Sequence, residues 1–262
     1  MPPAKSSLVF IRKEDRPNAR LRLFCFTYAG ASAQSFLTWN DHVPDFIEIT
    51  GVELPGHGRR LFDGKPFNTY EPTAQYIADT LEPILDRPYA LFGHCLGAVL
   101  AYEATRILKQ RGAPEPVHLF TSGTRGPHYG IPIADVDNMD DEKFIEHFNN
   151  VYGASMDLLK DPQMRPLILP IVRADAHMTQ IYHYQPGERV GYDVTAVAGE
   201  RDPDVNLEQM RGWQQHTTGT VTTRLYPGDH FFFLQRARQM LGDFSRQLAA
   251  YTTKAHSEAV SL

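Results

Sequence analysis

An α/β fold with a mostly parallel central sheet and flanking helices is predicted by three observations. Short apolar runs that read as buried strands (21–26, 47–54, 89–92, 117–122, 192–198 and 221–226) alternate with stretches of helical spacing. One of them, Tyr89 to Phe92, passes through a glycine-flanked turn directly into a helix. The rhythm then breaks once, over residues 123–190, where an inserted helical segment is expected. A chain of 262 residues with 42% hydrophobic content suits one sizeable core, so a single domain over residues 1–262 is expected.

The turn carries the chemistry. After the apolar run comes Gly93-His94-Cys95-Leu96-Gly97; then Leu100, Ala104, Ile107 and Leu108 recur at helical spacing until Gly112 stops the helix. Strand, G-x-nucleophile-x-G, helix is the nucleophile elbow of an α/β-hydrolase. The middle residue is held in strained geometry that lifts its side chain clear of the sheet, and the glycines let strand and helix approach closely. That residue is usually serine; here it is Cys95. A thiol at a helix N-terminus meets the positive end of the helix dipole, which is expected to lower its pKa. The competing reading, a buried inert cysteine, fits a lone G-x-C-x-G better than one set between a strand and a helix.

The other elements follow in order. Residues 1–20 are polar and irregular, and Lys13, Glu14, Asp15 and Arg16 are expected in solvent. The strand Leu21 to Phe26 leads into the small-residue run Thr27-Tyr28-Ala29-Gly30-Ala31-Ser32-Ala33. In α/β-hydrolases a loop here supplies one oxyanion-hole N–H and the residue after the nucleophile supplies the other, making Ala29 and Leu96 the candidates. Pro55 to Arg60 is a turn. In it His57 is expected as a surface or turn residue rather than a base, and Arg59 and Arg60 either meet a phosphate or lie in solvent. A helix is expected over Thr69 to Leu85.

Within 123–190, helical spacing returns around Phe144, Ile145 and Phe148, at Leu158 and Leu159, and from Leu167 to Tyr184, as a lid would require. His177 is expected on the surface of the last lid helix or paired with Asp175, not as a base. The strand Tyr192 to Ala198 ends in a loop holding Glu200, Asp202 and Asp204. Asp202 is the preferred triad acid because Pro203 fixes the turn directly after it. His230 lies in the loop after the last strand, ahead of a final helix over residues 231–251, where the fold places its general base. The order Cys95, Asp202, His230 matches the hydrolase order of nucleophile, acid and histidine. His94 is expected to pack beside the elbow.

Composition excludes several classes. Net charge is -5, with Lys and Arg spread along the chain and no basic run to suit nucleic acid. The two cysteines, Cys25 and Cys95, suggest neither a disulfide framework nor a metal site. The opening Met-Pro-Pro-Ala-Lys lacks the apolar region of a signal peptide, and no stretch reaches the ~18 apolar residues of a membrane span. A cytoplasmic monomer without metal or cofactor is the expectation.

As a set, these motifs resemble the type II thioesterases of nonribosomal peptide and polyketide synthase pathways. Leu23 to Ala33 with Trp39 following, Leu54-Pro55-Gly56 with Arg60, Gly93 to Gly97, Arg173-Ala174-Asp175 with Tyr182 and Tyr184, Gly199 to Val205, and Gly228-Asp229-His230-Phe231-Phe232 carry the likeness over nearly the whole chain. Thr27 stands where that family usually has Pro, Ala31 where it has Gly, and Cys95 where it has Ser. The resemblance implies hydrolysis of acyl thioesters held on the phosphopantetheine arm of an acyl or peptidyl carrier protein, through an acyl-Cys95 intermediate. Because a thioester reacts readily with amines and thiols, Cys95 leaves transfer to such an acceptor as the alternative. A carboxylesterase of small esters and a non-catalytic protein that docks carrier domains are further readings.

Overall fold

The computed structural model describes residues 8–131, 134–152 and 157–259; the N-terminal Met1 to Lys5 stretch and the Leu158 side chain fall outside what is described. Seven strands form one sheet: β1 (Phe10–Ile11), β2 (Leu21–Phe26), β3 (Ile47–Val52), β4 (Tyr89–His94), β5 (His118–Ser122), β6 (Asp193–Gly199) and β7 (Val221–Tyr226). Their order is β1-β3-β2-β4-β5-β6-β7. All neighbours pair in parallel except β1, which runs antiparallel to β3. This is the α/β-hydrolase architecture expected from the sequence.

Alternation along the strands explains the two cores. In β4, Tyr89 and Leu91 face a cluster formed with α1 (Tyr70–Leu81) and α2 (Leu96–Gln110), where Ile77, Leu81, Val99 and Leu100 pack. Ala90 and Phe92 face the opposite cluster, with Trp39, Phe36 and residues of α7 (Phe232–Ala259) such as Phe244. Side chains of a strand point alternately to its two faces, so a strand covered on both reads as one unbroken apolar run.

The strand order reverses between β2 and β4, because β2 leads to β3 on one side and the chain returns to β4 on the other. In open parallel sheets such a switch point opens a crevice at the carboxyl ends of the two strands. Here those ends carry the 27–33 loop and Cys95. Over the crevice lies a third apolar cluster, with Phe144 and Phe148 of α3 (Asp141–Tyr152), Leu159 of α4 (Asp157–Lys160), and Leu169, Val172 and Ala176 of α5 (Arg165–Gln180). These helices fall between β5 and β6, within the interval that interrupts the sequence rhythm. A short α6 (Leu207–Arg211) precedes β7. Among the described residues, no helix is long and apolar enough to cross a membrane.

Three local expectations are corrected. The first twenty residues contain β1, whose pairing to Val52 and Gly51 is fixed by the edge of β3 rather than by any periodicity of its own. Arg16 is largely covered: its guanidinium donates to Asn40 O at 2.9 Å and Ile47 O at 3.2 Å. The helix expected to reach Leu85 ends at Leu81 and continues as a single 3-10 turn, Glu82–Ile84, where Pro83 lacks an N–H to extend the α-helical ladder.

Gly97 shows how tightly the elbow is packed, since a Cβ there would strike the Thr27 and Phe26 carbonyl oxygens of the neighbouring loop. Gly242, in the middle of α7, is open: a Cβ would meet only Arg246 Nη1, at 3.8 Å. Alanine normally stabilises a helix relative to glycine by ~0.5–1 kcal/mol. Urea unfolding should show that gain for Gly242→Ala and the reverse sign, a loss of about 1–3 kcal/mol, for Gly97→Ala.

Candidate active site

Cys95 adopts φ 51° and ψ -119°, and is the one non-glycine residue with positive φ among the described residues. Such strain persists only where the surroundings over-determine it. Its N–H donates to Ser122 O at 2.8 Å, and Ala98 N–H donates to Cys95 O at 3.1 Å. Below it, His94 is fully buried, with Nδ1 2.9 Å from Ser122 Oγ and its ring 4.4 Å from that of Phe233. Burial holds His94 well below the usual histidine pKa, with the nearby His230 adding to the effect. It packs beside the elbow, as expected. The two thiols differ: Cys25 is buried and its pKa is raised by that burial, whereas Cys95 is partly accessible and faces a cavity.

The structure brings Asp202 and His230 to Cys95. His230 Nδ1 lies 2.9 Å from Asp202 Oδ2, and the Asp202 side chain is fully covered. The other carboxylate oxygen accepts the Asp204 N–H at 3.0 Å, so Asp202 is held between His230 and its own loop. His230 also hydrogen-bonds Cys95; with Nδ1 engaged by Asp202, the nitrogen left for sulfur is Nε2. Burial opposes a charge on His230, but the hydrogen bonds to Asp202 and Cys95 outweigh it and push its pKa up to about 10. Asp202, Asp204 and His230 bring potential ligand atoms within 4.8 Å of one another. The Asp202–His230 hydrogen bond already commits two of those groups to each other, so the cluster is proton-handling geometry rather than a prepared metal site.

The 27–33 loop sits beside the elbow. Ala29 and Gly30 line the cavity with Cys95, and neither the Ala29 nor the Leu96 N–H donates to a protein acceptor among the described residues. Thr27 Oγ1 donates to Ala31 O at 3.2 Å, a clip that a proline at this position would lack. Two buried carboxylates hold the loop. Glu53 accepts from Ser32 Oγ at 2.7 Å and from Ala33 N–H at 3.0 Å. Asp175, on lid helix α5, accepts from Gly30 N–H at 2.7 Å and pairs with His57 Nε2 at 2.9 Å.

Several expectations are corrected by this network. His57 lies in the turn, the second of its two expected places, but is buried at 5% exposure, with Nδ1 3.1 Å from Pro55 O. Burial works against its charge, but the Asp175 carboxylate and hydrogen bond raise its pKa above the ordinary value. His177 pairs with Asp137 at 2.8 Å instead of with Asp175. Arg60 neither meets a phosphate nor lies in solvent: it is buried and donates to Glu53 O at 3.0 Å and Tyr76 Oη at 2.7 Å. Arg59 is exposed.

The cavity holds about 600 Å³. One side presents Cys95 and His230; the other is the apolar underside of α3 to α5, including Phe148, Leu159, Ile168, Ile171 and Val172. A chain of carboxylate, imidazole and sulfur beside two unengaged N–H groups can move a proton away from an attacking sulfur and receive an oxyanion.

Fold and turn together define an α/β-hydrolase, and comparison with known proteins narrows this. The Thioesterase domain family matches residues 21–248. Gramicidin S biosynthesis protein GrsT of Aneurinibacillus migulanus is 31% identical over 239 residues, covering 91% of this chain and 93% of that protein. Thioesterase PikA5 of Streptomyces venezuelae is 32% identical over 244 residues, covering 93% and 86%. The structure of the RedJ thioesterase from the prodiginine pathway of Streptomyces coelicolor superposes with TM-score 0.80 at 36% identity, over 88% of this chain and 87% of that one. The chain belongs to the thioesterase family, alongside the type II thioesterases of nonribosomal peptide and polyketide pathways, and is a thioester hydrolase.

Two outcomes follow from the geometry. A charged hydrogen bond contributes about 1.5–3 kcal/mol, so Asp175→Asn, which weakens the hold on Gly30, should lower kcat by about tenfold or more while leaving KM nearly unchanged in steady-state thioester assays. For His230 the folded pKa lies above the unfolded value of ~6.5, so its stabilising contribution is complete below about 6.5 and is lost as pH rises through about 10. NMR titration of the labelled imidazole should give a midpoint near 10, moving down in Cys95→Ala.

Proposed function

We propose that the enzyme releases apolar acyl groups from carrier-protein thioesters through an acyl-Cys95 intermediate. The observation that carries this reading is the Cys95–His230–Asp202 chain at the foot of an apolar, lid-covered cavity. Residues 123–190 act as the lid and set the acyl group: a cavity walled by Phe148, Leu159, Ile168 and Ile171 favours an aliphatic chain over a charged one.

Cys95 passes its proton to His230, whose Nδ1–H stays on Asp202. The sulfur attacks the thioester carbonyl, and the N–H groups of Ala29 and Leu96 receive the oxyanion, a contribution of ~3–4 kcal/mol per donor in related chemistry. The tetrahedral species collapses, the carrier sulfur leaves with the proton from His230, and acyl-Cys95 remains. Water then gives its proton to His230 and its oxygen to the carbonyl. The free acid leaves and the thiol is restored.

Loading exchanges one thioester for another and is close to thermoneutral, so the fate of acyl-Cys95 decides the product. Cys95 itself favours a second reading, transfer to an amine or thiol acceptor, because a thioester is a better acyl donor than the oxyester a serine would form. Intact-protein mass spectrometry after addition of an acyl-loaded carrier protein separates these outcomes. Rapid free-acid release without a lasting adduct is expected for hydrolysis. A stable acyl adduct on Cys95, discharged only when an amine or thiol is added, would overturn hydrolysis in favour of transfer. Cys95→Ala should form no adduct at all.

A further inference from the structure

We infer that an arginine-lined groove between β7 and α7 is the surface on which the acidic face of a carrier protein docks while its acyl arm enters the cavity. The inference rests on the carrier-thioester reading above.

The groove encloses about 560 Å³ and is lined by Arg224, Arg236, Arg238 and Arg246, against the single acid Asp243. This concentration of positive charge stands on a chain whose net charge is -5. Asp243 is buried, accepts from Tyr226 Oη at 2.7 Å, and pairs with Arg224 at 2.5 Å and with Arg246. It thereby fixes two of the cations in place. The other two are not neutralised: Arg236 donates only to Pro227 O, at 3.3 Å, and Arg238 has no acidic partner among the described residues. Both are exposed. Crowded cations repel one another, so the arrangement is unfavourable until an anion arrives.

Two further observations point to a partner. Gln235 lines both this groove and the cavity at Cys95, so the two adjoin at the first turn of α7. Leu234, at the same rim, is 51% exposed, an apolar contact beside a basic surface. Gly242 also lies on the groove, where a Cβ would meet nothing closer than Arg246 Nη1; no packing within the protein requires a glycine there. Its absent side chain leaves the groove open at a position where helix propensity alone favours alanine. A protein face of acidic residues supplies the missing charge, and the shared rim lets the arm attached to that face reach Cys95.

The test compares the native enzyme with the double variant Arg236→Glu/Arg238→Glu, with melting temperature as a check on folding. Three substrates carry the same acyl group: an acidic acyl carrier protein, acyl phosphopantetheine, and an acyl N-acetylcysteamine thioester. The expected result is a rise in KM of about tenfold for the carrier-bound substrate alone, with kcat preserved and the salt dependence of KM reduced. Binding of the unacylated carrier, followed by fluorescence anisotropy, should weaken in parallel. An unchanged carrier KM and affinity would overturn the inference. So would an equal rise with acyl phosphopantetheine, which would assign the groove to the phosphate of the arm. Failure of the native enzyme to cleave any of the three thioesters would instead sink the carrier-thioester reading, and the anisotropy measurement would still decide whether the groove binds an acidic carrier.

Discussion

The backbone conformation of Cys95 is the constraint on which the rest of the site depends. A residue with a Cβ at φ 51° and ψ -119° is strained by about 1–3 kcal/mol. The fold holds it there from three sides. Ser122 accepts its N–H, His94 packs beneath it, and Gly93 and Gly97 let α2 lie against β4 and the 27–33 loop without obstruction. The return is positional. The sulfur stands at the N-terminus of α2, beside the unengaged Leu96 N–H and in hydrogen-bond contact with His230. Relaxing the turn would separate all three relations at once, so strain and chemistry cannot be altered independently.

The facing loop is fixed in a different manner. It contains no strand or helix before Ala33, and its rigidity comes from outside, through Glu53 and Asp175. These carboxylates come from different layers: Glu53 follows β3, whereas Asp175 belongs to the lid. A displacement of α5 therefore acts directly on Gly30, next to a proposed oxyanion donor. His57 completes the arrangement by placing a basic group against Asp175, which would otherwise be a buried charge with only backbone partners. The apolar cavity wall and the 27–33 loop thus share one helix, so under the proposed mechanism the fit of an acyl chain would bear on the geometry of attack.

What could be read in the sequence follows from how locally each feature is encoded. The bounds of β2 and β7 match the apolar runs that announce them, and the elbow is declared by two glycines within five residues. Asp202 and His230 were legible because a proline and a strand end mark their loops. In the structure the two side chains are hydrogen-bonded to each other. His57 and Asp175 were not legible as partners: they are 118 residues apart, and neither segment has a pattern that names the other. Of the two expectations for His177, the pair with Asp175 fails because residues two positions apart on a helix do not share a face. Arg60 looked like a surface cation for the same reason, since the carbonyl and tyrosine that satisfy it come from elsewhere. The basic groove escaped a search for charge runs because its arginines lie between 224 and 246 and meet only when α7 packs beside β7.

The cysteine gives these arrangements a particular meaning. In a serine enzyme the histidine must be neutral to accept the hydroxyl proton, and a strongly raised histidine pKa would work against the first step. With sulfur as its partner, the raised pKa of His230 favours a proton on the imidazole, facing Sγ, the proposed nucleophile. In the proposed mechanism the same proton must then be relinquished before water attacks acyl-Cys95. An acylated sulfur would no longer offer His230 that hydrogen bond, leaving Asp202 to raise the histidine against the burial that lowers it. His230 should therefore be more basic in the free enzyme than in the acyl-enzyme, and it becomes a competent base for water as acylation removes its second partner. Under the proposed mechanism, alternation between acid and base follows from the position of one imidazole between a permanent carboxylate and a sulfur that acylation would occupy.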